Sequence, residues 1–229
     1  MTSGPLPPAG APHRLLVVTA VAVERDAVAA GLHLAGHTAA DVIAAGAGPA
    51  AAAAATATAL ARGSYSLVIS AGIGGGFAPA APVGTVAVAE SIVAADLGAQ
   101  TAEGFVPIAD LGFGTSQHRP PAALSRSVAA ALGAAYGPVL TVSTVTGSAE
   151  RAAELTGRHP DAVAEAMEGF GVAEAAAAGG VPVLEIRTVS NTVGPRDRAA
   201  WRIGEALAAL TTAFGKLPAA LEVEAGHDD

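Results

Sequence analysis

Apolar residues in this chain cluster in short runs, and longer alanine-rich segments separate most of these runs. Runs rich in valine, isoleucine and threonine are typical of buried strands, whereas the alanine-rich segments favour helices. The pattern predicts strands at residues 15–19, 42–45, 67–70, 85–93, 139–146, 162–166 and 183–190. It predicts helices at residues 23–32, 50–62, 122–135, 148–156, 169–178 and 197–214.

The alternation of strands and helices predicts an α/β fold, a three-layer α/β/α sandwich around a mostly parallel sheet. With 229 residues and 52% hydrophobic content, the chain can bury the core of one large domain, which we assign to residues 14–217. Residues 1–13, rich in proline and glycine, and residues 218–229 are expected to be flexible tails. Residues 98–119 fit neither period, and an irregular segment of that length is usually functional.

Charge and composition limit the classes of partner. The formal net charge is −8 and the 12 lysines and arginines form no run, so neither a nucleic acid nor an anionic membrane is expected to bind. The chain has no cysteine, and its six histidines form no H-E-x-x-H pattern, so no metal site is predicted.

Two uncharged stretches, residues 42–61 and 63–89, are long enough to raise the alternative of a membrane span. The first is mostly alanine, and both are interrupted by glycine and proline, so buried strands and helices are the better interpretation. The first residues lack the basic start and apolar centre of a signal peptide, which predicts a cytoplasmic protein.

The first candidate for chemistry is the G-x-G-x-x-A sequence at residues 46–51, between a predicted strand and a predicted helix. This spacing matches a dinucleotide-binding fingerprint, which also needs an acidic residue about 20 positions further on. The next acidic residue after Asp41 is Glu90. A tight turn that packs the helix closely on the sheet is therefore the better interpretation, with dinucleotide binding as the alternative.

A glycine-rich segment, residues 70–76, follows the predicted strand at residues 67–70. Backbone N–H groups in such a segment can approach a ligand closely. No basic residue lies between Arg62 and Arg119, so an uncharged ligand is expected here. The alternative is a flexible connection without a ligand.

Two polar residues stand where apolar segments end. Glu168 lies at the junction of a predicted strand and helix, where it can cap the helix or accept hydrogen bonds from two sugar hydroxyls. Asn191 follows the apolar run 181–189, where it can turn the chain or contact a ligand at a strand's C-terminal end.

Six short motifs, in this order and spacing, resemble those of the nucleoside phosphorylase and nucleosidase superfamily. They are Ala20-Val-Ala-Val-Glu24, Gly46-Ala-Gly48, Ser70-Ala-Gly-Ile-Gly-Gly-Gly76, Gly147-Ser148, Ala166-Met-Glu168 and Arg187-Thr-Val-Ser-Asn191. The resemblance covers residues 15–214. Residues 191–198 and 201–203 are most similar to the futalosine hydrolase branch of this superfamily.

The resemblance implies a fold with a mixed sheet and a role for each matching residue. Glu24 matches the acidic residue that positions and activates water as a general base, and Asn191 matches the residue that contacts the purine base. The implied substrate-binding residues are Ile73, Gly74, Thr144, Val145, Met167 and Glu168. Glu168 would bind the ribose hydroxyls with Met167 under the sugar, and backbone groups of Thr144 and Val145 would face the base.

The resemblance also implies an activity: hydrolysis of the N-glycosidic bond of futalosine, which releases hypoxanthine in menaquinone biosynthesis. It implies a small nucleoside substrate, no cofactor, and a homo-oligomer. Alternatives are a nucleosidase of the methylthioadenosine or aminodeoxyfutalosine type, a purine nucleoside phosphorylase, and a nucleoside-binding module without catalysis. Futalosine carries an aromatic acid, whose carboxylate has four candidate partners: His118, Arg119, Arg196 and Arg198.

Two features bear on these alternatives. Phosphorylases of the superfamily bind phosphate with arginines, including one beside the glycine-rich segment, where this chain has Val68-Ile-Ser70. Water is therefore the expected nucleophile.

Adenosine-type nucleosidases have aspartate at the position of Asn191. An amide can donate N–H groups to N7 and O6 of a 6-oxopurine, although it also pairs with the N6/N7 edge of adenine.

Overall fold

A computed structural model describes the backbone of residues 14–225 and the side chains through residue 221. The strands are β1 (Leu15–Thr19), β2 (Ala40–Ala44), β3 (Leu67–Gly76), β4 (Val86–Ala94), β5 (Gly98–Thr101), β6 (Gly104–Pro107), β7 (Gln117–His118), β8 (Ala135–Thr141), β9 (Ala164–Ala166) and β10 (Val183–Thr192). The helices are α1 (Ala22–Leu34), α2 (Pro49–Arg62), α3 (Ala122–Leu132), α4 (Ala149–Arg158), α5 (Gly169–Ala178) and α6 (Ile203–Ala225).

The main sheet is mixed and mostly parallel, as predicted. Strands run in the order β10-β4-β8-β9-β3-β1-β2, with β7 on the side of β4. Because β3 also pairs with β10, the strands from β10 to β3 close into a ring, from which β1 and β2 extend. This closure depends on β3, which is long enough to pair with β1 over its first residues and with β9 at its end.

Helices cover both faces of the sheet, so the predicted three layers are present. Alternate residues of β1 belong to two different apolar clusters, which explains why its sequence is continuously apolar. Helices α1, α3 and α6 complete the cluster on one face, and α2 and α5 complete the cluster on the other. Elements from β1 to α6 thus contribute to the two clusters that cover the faces of the sheet.

Several predicted boundaries are wrong, and three of the differences concern whole segments. The glycine-rich residues 71–76 continue β3, because β10 and β9 pair with them. The predicted loop 98–119 contains a hairpin of β5 and β6 and the short strand β7. The predicted tail at 218 lies inside α6, because Leu217, Ala220 and Leu221 extend its buried face past Pro218. The predicted tail at residues 1–13 lies outside the described residues.

The uncharged stretches form ordinary elements of the domain. Residues 42–61 contribute to β2 and α2, and residues 63–89 contribute to β3 and β4. Across residues 14–225, every helix is too short or too polar to cross a membrane.

Candidate active site

The candidate residues meet at one edge of the sheet. Strands β1, β3 and β10 are parallel neighbours, so their C-terminal ends lie at the same edge. Glu24 follows β1, Ile73 and Gly74 lie in the second half of β3, and Asn191 lies near the end of β10. Open parallel sheets build their ligand sites at this edge.

Glu24 is held by backbone amides from two elements. It lies in the first turn of α1 and is only 3% exposed. Its Oε2 accepts the N–H groups of Ala20 at 3.0 Å and Val21 at 3.2 Å, and its Oε1 accepts the N–H of Ile73 at 2.9 Å. The Val21 bond is a helix-capping interaction. The Ile73 bond fixes the carboxylate over β3, which capping alone would not require.

Glu168 is the N-cap residue of α5, but its side chain makes no capping hydrogen bond. The capping interpretation is therefore wrong. Its carboxylate is buried and has two other partners. Oε1 accepts the Gly48 N–H at 3.2 Å, and Oε2 accepts from Arg187 Nη1 at 3.3 Å. The Gly48 amide, which would face a phosphate in a dinucleotide site, thus faces a carboxylate.

The turn at residues 46–51 serves close packing, in line with the turn interpretation. Gly46 and Gly48 both have positive φ angles, 97° and 94°, which favour glycine. A Cβ built on Gly171 would overlap the carbonyl of Pro49, so α5 lies directly against the start of α2. This contact brings the Gly48 amide to Glu168.

Arg187 is the centre of the site, although no role was predicted for it from the sequence. Its side chain is fully buried. Nε donates to Glu185 Oε1 at 2.9 Å, Nη1 donates to Glu168, and Nη2 donates to the Ser70 hydroxyl at 2.9 Å. The sequence Leu184-Glu185-Ile186-Arg187 does indicate a buried ion pair. Its two opposite charges lie on one face of an apolar strand, and buried charges must be paired.

The pKa values of this buried group are coupled. Burial raises the pKa of the Glu185 carboxyl above its ordinary value, and the neighbouring Glu168 adds to this, whereas Arg187 opposes it. Burial alone would lower the pKa of Arg187, but Glu185, Glu168 and Glu24 together raise it. The guanidinium therefore stays charged, and it bridges several carboxylates.

Gly72 lets Glu24 join this cluster. It lies opposite Arg187 in the register of β3 and β10. A Cβ built on Gly72 would lie 2.7 Å from Glu24 Oε1 and 3.0 Å from Arg187 Nη1, so both groups occupy the space over the glycine. Glu24, Glu168 and Arg187 form one cluster as a result.

Asn191 lies at an irregularity in β10. The register with β3 shifts between Val189 and Asn191, and the Asn191 side chain is half-buried. Its Oδ1 accepts from the Ser190 hydroxyl at 2.8 Å, and its Nδ2 donates to the Thr192 carbonyl at 3.1 Å. These bonds fix the plane of the amide and leave one of its N–H groups for another acceptor.

The remaining predicted substrate residues surround this edge. Thr144 and Val145 lie exposed in the loop after β8, because that strand ends at Thr141 and not at 146 as predicted. Met167 is half-buried between β9 and α5. The loop after β8 is anchored by Glu165, another buried residue for which the sequence predicts no role.

Glu165 holds that loop through Thr146. Its carboxylate accepts the backbone N–H of Thr146 at 2.9 Å and also the Thr146 hydroxyl. Burial raises the pKa of Glu165, and the two Thr146 hydrogen bonds oppose this.

Two of the four candidates for a substrate carboxylate already have acidic partners. His118 contacts Glu174 at 2.9 Å, and Arg119 pairs with Glu90. The guanidinium groups of Arg196 and Arg198 instead lie 5.6 and 5.9 Å from the ring of Trp201. Among the described residues, no group of three or more His, Asp or Glu side chains could hold a metal ion.

Comparison with known proteins shows which family this chain belongs to and which solved structures share its fold. The family model described as Phosphorylase superfamily matches residues 23–221. The futalosine hydrolase of Streptomyces coelicolor is 62% identical over 93% of this chain and 99% of that protein. The futalosine hydrolase of Acidothermus cellulolyticus is 50% identical over 90% of each.

Solved structures resemble the fold at low sequence identity. The 5′-methylthioadenosine/S-adenosylhomocysteine nucleosidase of Colwellia psychrerythraea 34H, solved in complex with adenine, superposes with a TM-score of 0.77. The match is 20% identical and covers 92% of this chain and 96% of that one.

Proposed function

This chain belongs to the phosphorylase superfamily and, within it, to the futalosine hydrolases, and on that premise we propose that it hydrolyses the N-glycosidic bond of futalosine. The products are hypoxanthine and dehypoxanthine futalosine, and the reaction serves menaquinone biosynthesis. The observation that carries the proposal is the buried cluster of Glu24, Glu168 and Arg187 at the C-terminal edge of the sheet.

Glu24 is the group that activates water. N-glycosidic cleavage gives a sugar with oxocarbenium character, and water needs a base to add to it. Among the described residues, Glu24 Oε1 accepts only the Ile73 N–H, so a lone pair of this oxygen can accept a proton from water. General base catalysis of this kind contributes about 10²- to 10⁴-fold.

Glu168 binds the ribose. Within the described part of the chain, each of its carboxylate oxygens has one partner, Gly48 or Arg187, and can accept a further hydrogen bond. Two neighbouring sugar hydroxyls match this capacity. Met167 packs under the sugar, and Ile73 and Gly74 line the side formed by β3.

Asn191 and the loop after β8 bind the purine. The free amide N–H of Asn191 donates to the base, and backbone groups of Thr144 and Val145 contact it. A 6-oxopurine fits an amide donor better than a carboxylate, because a carboxylate would place an oxygen against O6.

Water is the nucleophile in this proposal. A phosphorylase needs a free cation for phosphate, but all three guanidinium nitrogens of Arg187 already have protein partners. Arg25, the basic residue next to Glu24, pairs with Asp26 at 2.7 Å. We also propose that the enzyme works without a cofactor, as a homo-oligomer in the cytoplasm.

The wild-type enzyme is expected to prefer futalosine to aminodeoxyfutalosine, and Asn191→Asp is expected to lower that preference. The new carboxylate repels O6 or leaves it without a donor, which costs about 1–3 kcal/mol for a buried polar atom. The ratio of the two kcat/KM values should therefore change about 10-fold or more. Measuring kcat/KM for both nucleosides with both proteins gives this ratio.

Two results would contradict these statements separately. A wild-type protein that releases no base from either nucleoside would refute the proposed function. An unchanged ratio in an active Asn191→Asp variant would show that Asn191 only turns the chain.

A further inference from the structure

Glu185 is a buried carboxylate that the proposed reaction does not use. It is fully buried in β10, two residues before Arg187 and on the same face of the strand. Its Oε1 accepts from Arg187 Nε at 2.9 Å, and its Oε2 has no hydrogen-bond partner among the described residues. A buried acid with one unused oxygen requires a reason for its presence.

Burial raises the pKa of Glu185, but Arg187 and the first turn of α5 stabilise its charged form against this effect. A Cβ built on Gly169, the first residue of α5, would overlap both of its carboxylate oxygens. Glu185 thus lies against the N-terminal turn of α5, where the helix dipole stabilises negative charge. It contacts Arg187 at Nε, whereas Glu168 and Glu24 approach the same guanidinium at Nη1.

The positive charge of Arg187 disfavours the transition state of the proposed reaction. Cleavage of the glycosidic bond develops positive charge on the sugar, and a buried guanidinium beside Glu24 and Glu168 opposes that charge. Arg187 nevertheless orients Glu168 and Ser70. The site therefore needs the hydrogen bonds of Arg187 without its net charge.

We propose that Glu185 is the positioning residue that neutralises Arg187, so that the negative charges of Glu24 and Glu168 remain available to the sugar. This inference rests on the proposed function, because it concerns the charge that develops during glycosidic cleavage. It predicts an effect on the transition state with little effect on substrate binding, since the sugar is uncharged in the bound substrate.

Glu185→Gln separates charge from shape. Glutamine keeps the size of the side chain and an oxygen that can accept from Arg187 Nε, but it removes the negative charge. The expected result is a kcat for futalosine that is lower by about 10- to 100-fold, the range for one unit charge at several ångströms in a protein interior. KM should stay within about threefold.

Two further variants complete the experiment. Glu185→Asp keeps the charge with a shorter side chain, so its kcat should fall less than that of the Gln variant. Thr188→Val is the matched control, because Thr188 is fully buried on the opposite face of β10 and its hydroxyl has no partner among the described residues. It should keep the kcat and KM of the wild type. Thermal unfolding of all the variants checks that they fold.

Several outcomes would overturn the inference. They are a Gln variant with kcat within about threefold of the wild type, kcat and KM that change in parallel, and an Asp variant that loses as much kcat as the Gln variant. If the Gln variant does not fold, an Asp variant with more than about a 10-fold loss of kcat would overturn it. A wild-type protein inactive on futalosine would instead refute the proposed function, in the same assay.

Discussion

Glu24→Gln is expected to fold and to lose about 100-fold or more of kcat for futalosine. The amide oxygen can still accept from Ala20 and Val21 or from Ile73, but it cannot take a proton from water. Its NH2 group also faces a backbone N–H on one side, since Glu24 accepts three such groups. Steady-state kinetics at saturating futalosine measure the loss.

The matched control is Asp26→Asn, an exposed acid of α1 that lies two residues after Glu24 and pairs with Arg25. It should keep the wild-type kcat, because it lies outside the buried cluster. If Glu24→Gln retained kcat within about threefold of the wild type, Glu24 would not be the base, since that role contributes about 10²-fold or more.

Arg187→Met is expected to have the largest effect on stability, a loss of about 3–5 kcal/mol in the free energy of unfolding. The substitution leaves the buried carboxylates of Glu185 and Glu168 without their cation. Urea unfolding of the variant and the wild type measures the difference. The exposed arginine of α3 provides a control, because Arg126→Met should change the free energy of unfolding by less than about 0.5 kcal/mol.

The stability loss in Arg187→Met should also depend on pH. Arg187 lowers the pKa of Glu185 against the raising effect of burial, so its removal raises that pKa further. A raised pKa in the folded state penalises folding at high pH, and the penalty disappears as Glu185 binds a proton. The difference between variant and wild type should therefore shrink as the pH falls. A loss below about 1 kcal/mol at neutral pH would show that the cluster is not a buried ion network.

The α/β class, its layers and the family were predictable from sequence, for a physical reason. Strands such as β1 are buried on both faces, so they are continuously apolar, and the helices between them are rich in alanine. The family follows from six motifs in order, and the match of residues 23–221 to the phosphorylase superfamily confirms it.

Other features depend on pairing between distant residues. Residues 71–76 look like a loop because they are rich in glycine, yet β10 and β9 supply the partners that make them a strand. The same distant pairing closes the sheet into a ring. Residues 98–107 form a hairpin that has no strong apolar alternation.

The candidate site was predictable in part. Glu24 and Glu168 each lie where a strand is followed by a helix, and a carboxylate at such a junction can be recognised from the sequence. Glu185 and Arg187 lie inside a strand, and their meaning depends on Ser70 and Glu168, which are 117 and 19 residues away from Arg187. A linear pattern shows that two charges must be paired, but it does not show which distant groups they position.

The measurement that tests the central claim most directly is product analysis of futalosine turnover with and without inorganic phosphate. We expect hypoxanthine and the free sugar product to form without phosphate, and we expect added phosphate not to raise the rate. This follows from the protein partner that each nitrogen of the Arg187 guanidinium already has and from the absence of basic residues between Arg62 and Arg119. A ribose 1-phosphate product, or a rate that requires phosphate, would contradict it.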